Sequence, residues 1–287
     1  MFTKNTTLST DLSTSSPQKR DIFVIFVHFG SREKTDAAIE AALTAGCDPE
    51  KIIVVDHSSA PFTPLVPVEV VRPFRNNGYA SGLRAGIQYA GVIGAKDADV
   101  CVLLNNDLIL SPSALRDIAI WWDESGGHAV LAGASWGAVS LLSGRADVVG
   151  RLEERSPFVI PYIHGCCMVL EYGFAQQISF YEDFFMYWED VAISMRVRAI
   201  GGVLAIIPNI SVLHNDSIGV LLPDKLYYLV RNGAYVLERL TPFTWRMFWF
   251  AKNTLRIFYH IIMGNGHSGI VQALRDARMK KLGQMVL

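Results

Sequence analysis

The strongest constraint on this chain is the alternation, from Asp21 onward, of short apolar runs with segments of helical periodicity. IFVIFVH (Ile22 to His28) reads as a buried strand, and KIIVVD (Lys51 to Asp56), VEVVR (Val68 to Arg72) and VCVLL (Val100 to Leu104) as further strands. Arg32 to Leu43 and Gly82 to Ala90 read as helices between them. Strands apolar on both faces and separated by helices predict an α/β fold, a mainly parallel sheet covered on both sides. Ligands of such sheets collect at the carboxyl ends of the strands. The polar residues fall there: His28 after the first strand, Asp56-His57-Ser58 after the second, Arg75-Asn76-Asn77-Gly78 after the third and Asn105-Asn106-Asp107 after the fourth. No GxGxxG follows the first strand, which argues against a dinucleotide-binding dehydrogenase.

The second half is less regular. Ala129 to Ala134, Val139 to Leu142 and Cys166 to Leu170 read as strands, and Asp190 to Ile200 as a helix ended by Gly201-Gly202. Val203 to Ile207 is a further strand leading toward His214, and Pro223 to Leu240 is helical. Glu182, Asp183, Glu189 and Asp190 lie close together among Phe184, Phe185, Tyr187 and Trp188. Carboxylates so close repel, and burying them beside aromatic rings is costly unless a cation, a substrate or a proton compensates. That stretch is therefore expected to form a site.

With 287 residues, 51% of them hydrophobic and 18% charged, the chain can bury a full core in one or two domains. A net charge of −1 provides no field for nucleic acid, so none is expected as a partner. Cys47, Cys101, Cys166 and Cys167 show neither zinc spacing nor a disulfide framework, which predicts reduced thiols and a cytoplasmic location. Residues 1–20 are polar, rich in Ser and Thr and without an apolar core, so they are expected to be a disordered tail and not a secretory signal. Beyond Pro242 seven basic residues face Asp276 alone, a local net charge of +6. Phe243 to Met263 is interrupted by Arg246, Lys252 and Arg256 and does not read as a membrane span. As a helix it gathers Arg246, Trp249, Lys252, Asn253, Arg256 and His260 on about a third of its circumference. Two placements suit that shape: the plane of an anionic membrane surface, or packing on the domain with the cations in water.

Taken in order, Asp56 in VVDHSS, NNGYASGLRAGI with its Arg84, NND, HGCCMVL, FFMYWEDVAISMRVRAIGG and LHNDS resemble the family 2 glycosyltransferases of the GT-A fold. Within them the chain is similar to the bacterial rhamnosyltransferase-like group that builds surface polysaccharides, over about Asp21 to Leu240. The resemblance implies a Rossmann-like domain at 21–240, with a donor half at about 21–125 and an acceptor half at about 126–240, followed by a basic amphipathic helical C-terminus at 241–287. It implies inverting, metal-dependent transfer from a dTDP- or UDP-sugar, such as dTDP-rhamnose, to a lipid-linked or glycan acceptor on the inner face of the membrane. By position, His28, Asp56, Gly78, Arg84, Asn105 and Asn106 would contact the donor, and Asp107 and His214 would hold Mg2+ or Mn2+. Asp190 takes the place of the general base, with His164, Gly165, Trp188 and Glu189 on the acceptor side. The chain departs from the family twice: Asn105 replaces the first Asp of the DxD motif, and Ala192 stands where relatives carry a further acid.

Plainer roles exist for the same residues. Asp107 can cap a strand as an Asx turn, Glu189 and Asp190 can answer a helix dipole, and a lone histidine such as His214 can be structural. Cys166, Cys167, Tyr227 and Tyr228 suit core packing, and Arg231 suits solvent. Two other classes stay open: a sugar-nucleotide nucleotidyltransferase, whose Gly-rich basic loop GSREK only faintly resembles, and a non-catalytic carbohydrate-binding or scaffold subunit.

Overall fold

The predicted runs become adjacent strands. The computed structural model describes residues 20–149, 159–208, 210, 212–214, 223–264 and 269–284. All of the 1–20 tail except Arg20 lies outside these residues, as do Asn215, Asp216 and Ser217. In chain order, β1 (Ile22–His28), α1 (Arg32–Thr44), β2 (Ile52–Asp56), β3 (Glu69–Val71), α2 (Tyr79–Val92) and β4 (Val100–Asn105) make up the first half with β5 (Leu108–Leu110) and α3 (Ala114–Ser125). The second half contributes β6 (Val130–Gly133), β7 (Trp136–Ser140), β8 (Ala146–Val149), β9 (Val159–Ile163), β10 (Cys167–Glu171), α4 (Tyr172–Gln177), α5 (Glu189–Ala199), β11 (Val203–Ile206) and β12 (Val212–His214). Helices α6 (Pro223–Arg239), α7 (Phe243–Ile262) and α8 (Gly269–Arg278) follow.

One sheet runs β11-β6-β10-β4-β1-β2-β3 and draws strands from both halves. β10 is antiparallel to β4 and β6, and the other pairings are parallel. Successive side chains on a strand point to opposite faces. Accordingly Val24, Phe26, Val54, Val102 and Leu104 pack with Ile39 of α1 and Trp122 of α3. Ile25, Ile53, Val55 and Leu103 pack with Leu83 and Ile87 of α2 and with Val197 of α5 on the other face. Helices on both sides are why these strands read as unbroken apolar runs.

The boundaries differ from expectation for local reasons. α2 starts at Tyr79, earlier than Gly82, because Gly78 at φ 98° turns the chain into the helix. β7 ends at Ser140, and Leu141 and Leu142 leave the strand to meet α7. The short β5 was not foreseen. It pairs antiparallel with β12, which sets the His214 backbone opposite Leu108, next to Asp107.

The C-terminal helices pack on the domain. Val271, Ala273, Leu274 and Ala277 of α8 are buried, and Asp276 accepts a 2.7 Å hydrogen bond from the Tyr227 hydroxyl of α6. Trp249 of α7 is buried with its indole N–H on the Leu141 carbonyl at 2.9 Å, and Asn253 donates to Glu238 at 2.7 Å. Most of the polar stripe of α7, expected in water or among headgroups, thus turns inward, with Arg246 left exposed. Lys252 donates to the Leu142 carbonyl at 3.1 Å and lies 4.3 Å over the Trp249 ring.

Leu103 is fully buried in the central strand β4. Leu103→Ala is expected to lower unfolding free energy by about 2–5 kcal/mol, the range for large-to-small core changes, read as a shifted urea midpoint with an unchanged m value.

Candidate functional site

A cavity of about 600 Å³ opens at the carboxyl end of β4. One wall carries His57, Asn76, Gly78, Asn105, Asn106 and Asp107, and the facing wall His164, Gly165, Trp188, Glu189 and Asp190. Asn105, Asn106, Gly78 and all four acceptor-side residues named from the sequence therefore meet in one space, together with Asp107 and Asp190. Asn106 is held from behind: its amide donates to the Thr35 hydroxyl of α1 at 2.9 Å, and that oxygen lies 2.6 Å from His28 Nδ1.

His28, Asp56 and Arg84 do not line the cavity. His28 is buried against Phe62, and burial pulls its imidazole below the usual value despite the opposing charges of Asp56 and Asp36. Asp56 accepts from Phe62 N at 2.8 Å, Ser58 N at 2.9 Å, the Ser58 hydroxyl and Arg72 at 2.7 Å. Burial alone would raise its pKa, and those donors hold it below the ordinary range. Arg84 reaches the other way, to the Ala175 carbonyl at the end of α4, at 3.0 Å. The backbone of His214 lies beside the Asp107 segment through the β5–β12 pairing.

The facing wall is a strained loop. Tyr181, Phe185, Tyr187 and Trp188 all have φ between 55° and 70°, a conformation non-glycine residues rarely adopt. Phe185, at φ 65° and ψ −60°, centres a γ-turn closed by Met186 N on the Phe184 carbonyl at 2.9 Å. Such strain persists only where its surroundings over-determine it. Here α6 does so. The Asn232 amide reaches the carbonyls of Phe184, Met186 and Tyr187 at 3.0, 2.8 and 2.9 Å, and Arg231 donates to Phe184 at 2.7 Å.

Arg231 was expected in solvent and is instead 1% exposed. Its guanidinium also donates to the Gly283 carbonyl at 2.7 Å and to the Asn232 amide oxygen at 2.9 Å, and lies over the rings of Tyr227 and Tyr228. From the opposite wall, Tyr79 N donates to the Phe185 carbonyl at 2.8 Å. A Cβ at Gly78 would lie 1.9 Å from that oxygen, so the close approach needs glycine as much as the positive φ does. Tyr79 also bridges the walls through its hydroxyl, 3.0 Å from the Gly165 carbonyl. Arg231, Asn232 and Tyr79 were missed as site residues. The only sequence signal for Tyr79 was its place after NNG, and nothing local marks Asn232.

The four crowded carboxylates separate. Asp183 is exposed, whereas Glu189 and Asp190 open α5 and face the cavity. Gly165 N donates to Asp190 Oδ2 at 3.0 Å, and the glycine leaves room for that carboxylate, which a Cβ would approach to 3.4 Å. Glu189 is buried, and its Oε2 has no hydrogen-bond partner among the described residues. Burial, then the Asp190 charge, pushes the Glu189 carboxyl up to about 8. Burial raises Asp190 as well, against the pull of His164 and the backbone N–H groups of Gly165 and Val191. The helix N-terminus favours both anions, but desolvation and mutual repulsion outweigh it. Ala192 is fully buried among Val139, Phe184, Trp188 and Val236, a place with no use for a charge.

Among the described residues no three His, Cys, Asp or Glu side chains converge to hold a metal. Asp107 is the carboxylate that the wall with Asn105 and Asn106 offers. That set fits a hard cation that keeps waters and takes further oxygens from a bound diphosphate, and it does not fit a cation caged by protein alone.

No family model matches the chain, and no curated protein does. Similar solved structures include S. aureus TarS, at TM-score 0.47 and 15% identity over 76% of this chain. Others are TarS 1–349 in complex with UDP (0.46, 15%, 76%) and TarS 1–349 (0.46, 16%, 91%). The chain spans 40% of the first of these, 66% of the second and 87% of the third. Likeness of this degree assigns neither ligand nor reaction.

Two outcomes follow from the loop and the acid pair. A carboxyl whose folded pKa exceeds its ordinary value of 4.5 gives stability that is complete below that value and is lost as pH rises through about 8. Glu189→Gln should therefore gain melting temperature relative to the wild type at about pH 9 more than at about pH 5, and an equal offset at both would count against the buried acid. Asn232→Ala removes the amide donor from the part-buried carbonyls of Met186 and Tyr187 and one of the donors to Phe184, and should cost about 1–3 kcal/mol in urea denaturation.

Proposed function

We propose that this chain is an inverting glycosyltransferase that moves a sugar from a nucleotide-sugar donor to a lipid-linked or glycan acceptor. The observation that carries the reading is one cavity joining Asn105-Asn106-Asp107, at a strand's carboxyl end, to a half-buried Asp190 on the opposite wall, whose proton affinity burial raises. The donor diphosphate lies on the first wall and the acceptor hydroxyl on the second. The acceptor oxygen attacks the anomeric carbon from the face opposite the diphosphate, the bond from that carbon to the diphosphate oxygen breaks, and the hydroxyl proton passes to Asp190. A carboxylate with raised proton affinity suits that step, and the Gly165 N–H on Oδ2 fixes its orientation. Mg2+ or Mn2+, held by Asp107 with His214 nearby in the fold, would supply charge compensation for the departing diphosphate.

Glu189, protonated near neutrality, offers a donor to an acceptor or sugar hydroxyl while Trp188 closes the wall. Donors in this reading are dTDP- or UDP-sugars, rhamnose among the sugars, and the acceptor belongs to bacterial surface polysaccharide synthesis. The work is placed on the cytoplasmic face of the membrane, with the protein held peripherally.

The test is a panel of UDP- and dTDP-sugars scored for transfer and hydrolysis, with melting shifts under UDP or dTDP, with and without Mn2+. Asp190→Asn is expected to lose roughly 10²–10⁴-fold in turnover, the usual worth of a general base, with the nucleotide-induced shift intact. Asp107→Asn should abolish the Mn2+-dependent part of the shift. Absence of any nucleotide shift would favour a scaffold, and near-wild-type turnover by Asp190→Asn would remove the base assignment.

A further inference from the structure

Helix α7 is amphipathic with its faces reversed. Its inward side is Trp249 and Asn253, with Lys252 drawn down to the Leu142 carbonyl. Phe243, Met247, Phe250, Leu255, Phe258 and Ile262 are between 49% and 79% exposed, and at 100° per residue they share an outward arc without a charged side chain. A water-facing helix has the opposite arrangement, and a contiguous apolar face of this extent marks a contact surface. No helix among the described residues is long and apolar enough to cross a membrane.

We infer that this face docks on an anionic lipid bilayer, entering the interface with its rings while neighbouring cations meet the headgroups. Charge selects that occupant. Arg246, Arg275, Lys280 and Lys281 are exposed around the helix pair. Asp276, the one acid between Phe243 and Leu287, is buried under the Tyr227 hydroxyl and the Gln272 amide. Arg278 donates to the Phe250 carbonyl at 2.8 Å and to the Thr254 hydroxyl at 2.6 Å, which starts Met279-Lys280-Lys281 beside the outward arc. An apolar face rimmed by cations is the arrangement by which peripheral helices bind anionic membranes. This deepens only the membrane part of the reading above and does not depend on the transfer chemistry.

The test is co-sedimentation of the full chain with vesicles of phosphatidylcholine alone and of phosphatidylcholine with phosphatidylglycerol. The wild type should bind the anionic vesicles and lose binding as salt rises. The triple variant Leu255→Asp, Phe258→Asp and Ile262→Asp, whose sites are exposed, should keep the wild-type melting temperature and bind roughly tenfold or more weakly. Lys280→Glu with Lys281→Glu should flatten the salt dependence while melting normally. Failure of the wild type to bind anionic vesicles, or equal binding by the triple variant, overturns the inference. So does a wild-type dimer by light scattering that the triple variant dissolves, because the face would then belong to a second copy.

Discussion

Two residues of α6 hold the candidate site in shape. The carbonyls of Phe184, Met186 and Tyr187 converge on the Asn232 amide, which has two protons for three acceptors, and Arg231 donates to Phe184 as well. Without them a run of positive-φ aromatic residues would relax toward ordinary backbone. Glu189 and Asp190, which start α5 directly after that run, would lose their aim into the cavity. The clamp also explains a buried guanidinium with carbonyl oxygens and aromatic faces about it: several oriented dipoles replace the solvent it left.

The joint between the halves is equally specific. Gly78 and Phe185 form a parallel bridge, Tyr79 donates to Phe185 and its hydroxyl reaches Gly165. A turn from the first half and a loop from the second thereby share one wall junction, and the cavity cannot widen there without breaking backbone pairing. The acid pair sits just beyond this joint, where burial raises both carboxyls. Fold and chemistry meet at that point, because the packing that orders the loop also perturbs the acids.

Much of the fold is legible in the sequence. β1 runs Ile22–His28 as read, β4 extends one residue past Leu104, and α5 starts one residue before Asp190, because apolar runs and helix-end glycines are local signals. The site was legible in part. NND and WED met across the cavity, whereas His28, Asp56 and Arg84 turned to partners inside the protein: Thr35, the loop after β2 and the end of α4. Being polar at a strand's end places a residue near a cleft. Whether it faces the cleft depends on donors and acceptors supplied by distant segments.

The sequence by itself determined the order of strands and helices, the alternation that buries both sheet faces, and the clustering of polar side chains at the strands' carboxyl ends. Each follows from near-neighbour periodicity and backbone sterics. Only the tertiary structure decided that Asn232 and Arg231 anchor a loop more than forty positions earlier in the chain. It alone decided that Glu189 is buried while Asp183 is not, and that α7 shows most of its apolar side chains and hides most of its polar stripe. A helical wheel fixes which residues share a face but carries no information on which way that face turns. That choice belongs to the surfaces the helix meets, here the Leu141–Leu142 carbonyls and Glu238, which lie far from α7's polar stripe in the chain or on another helix.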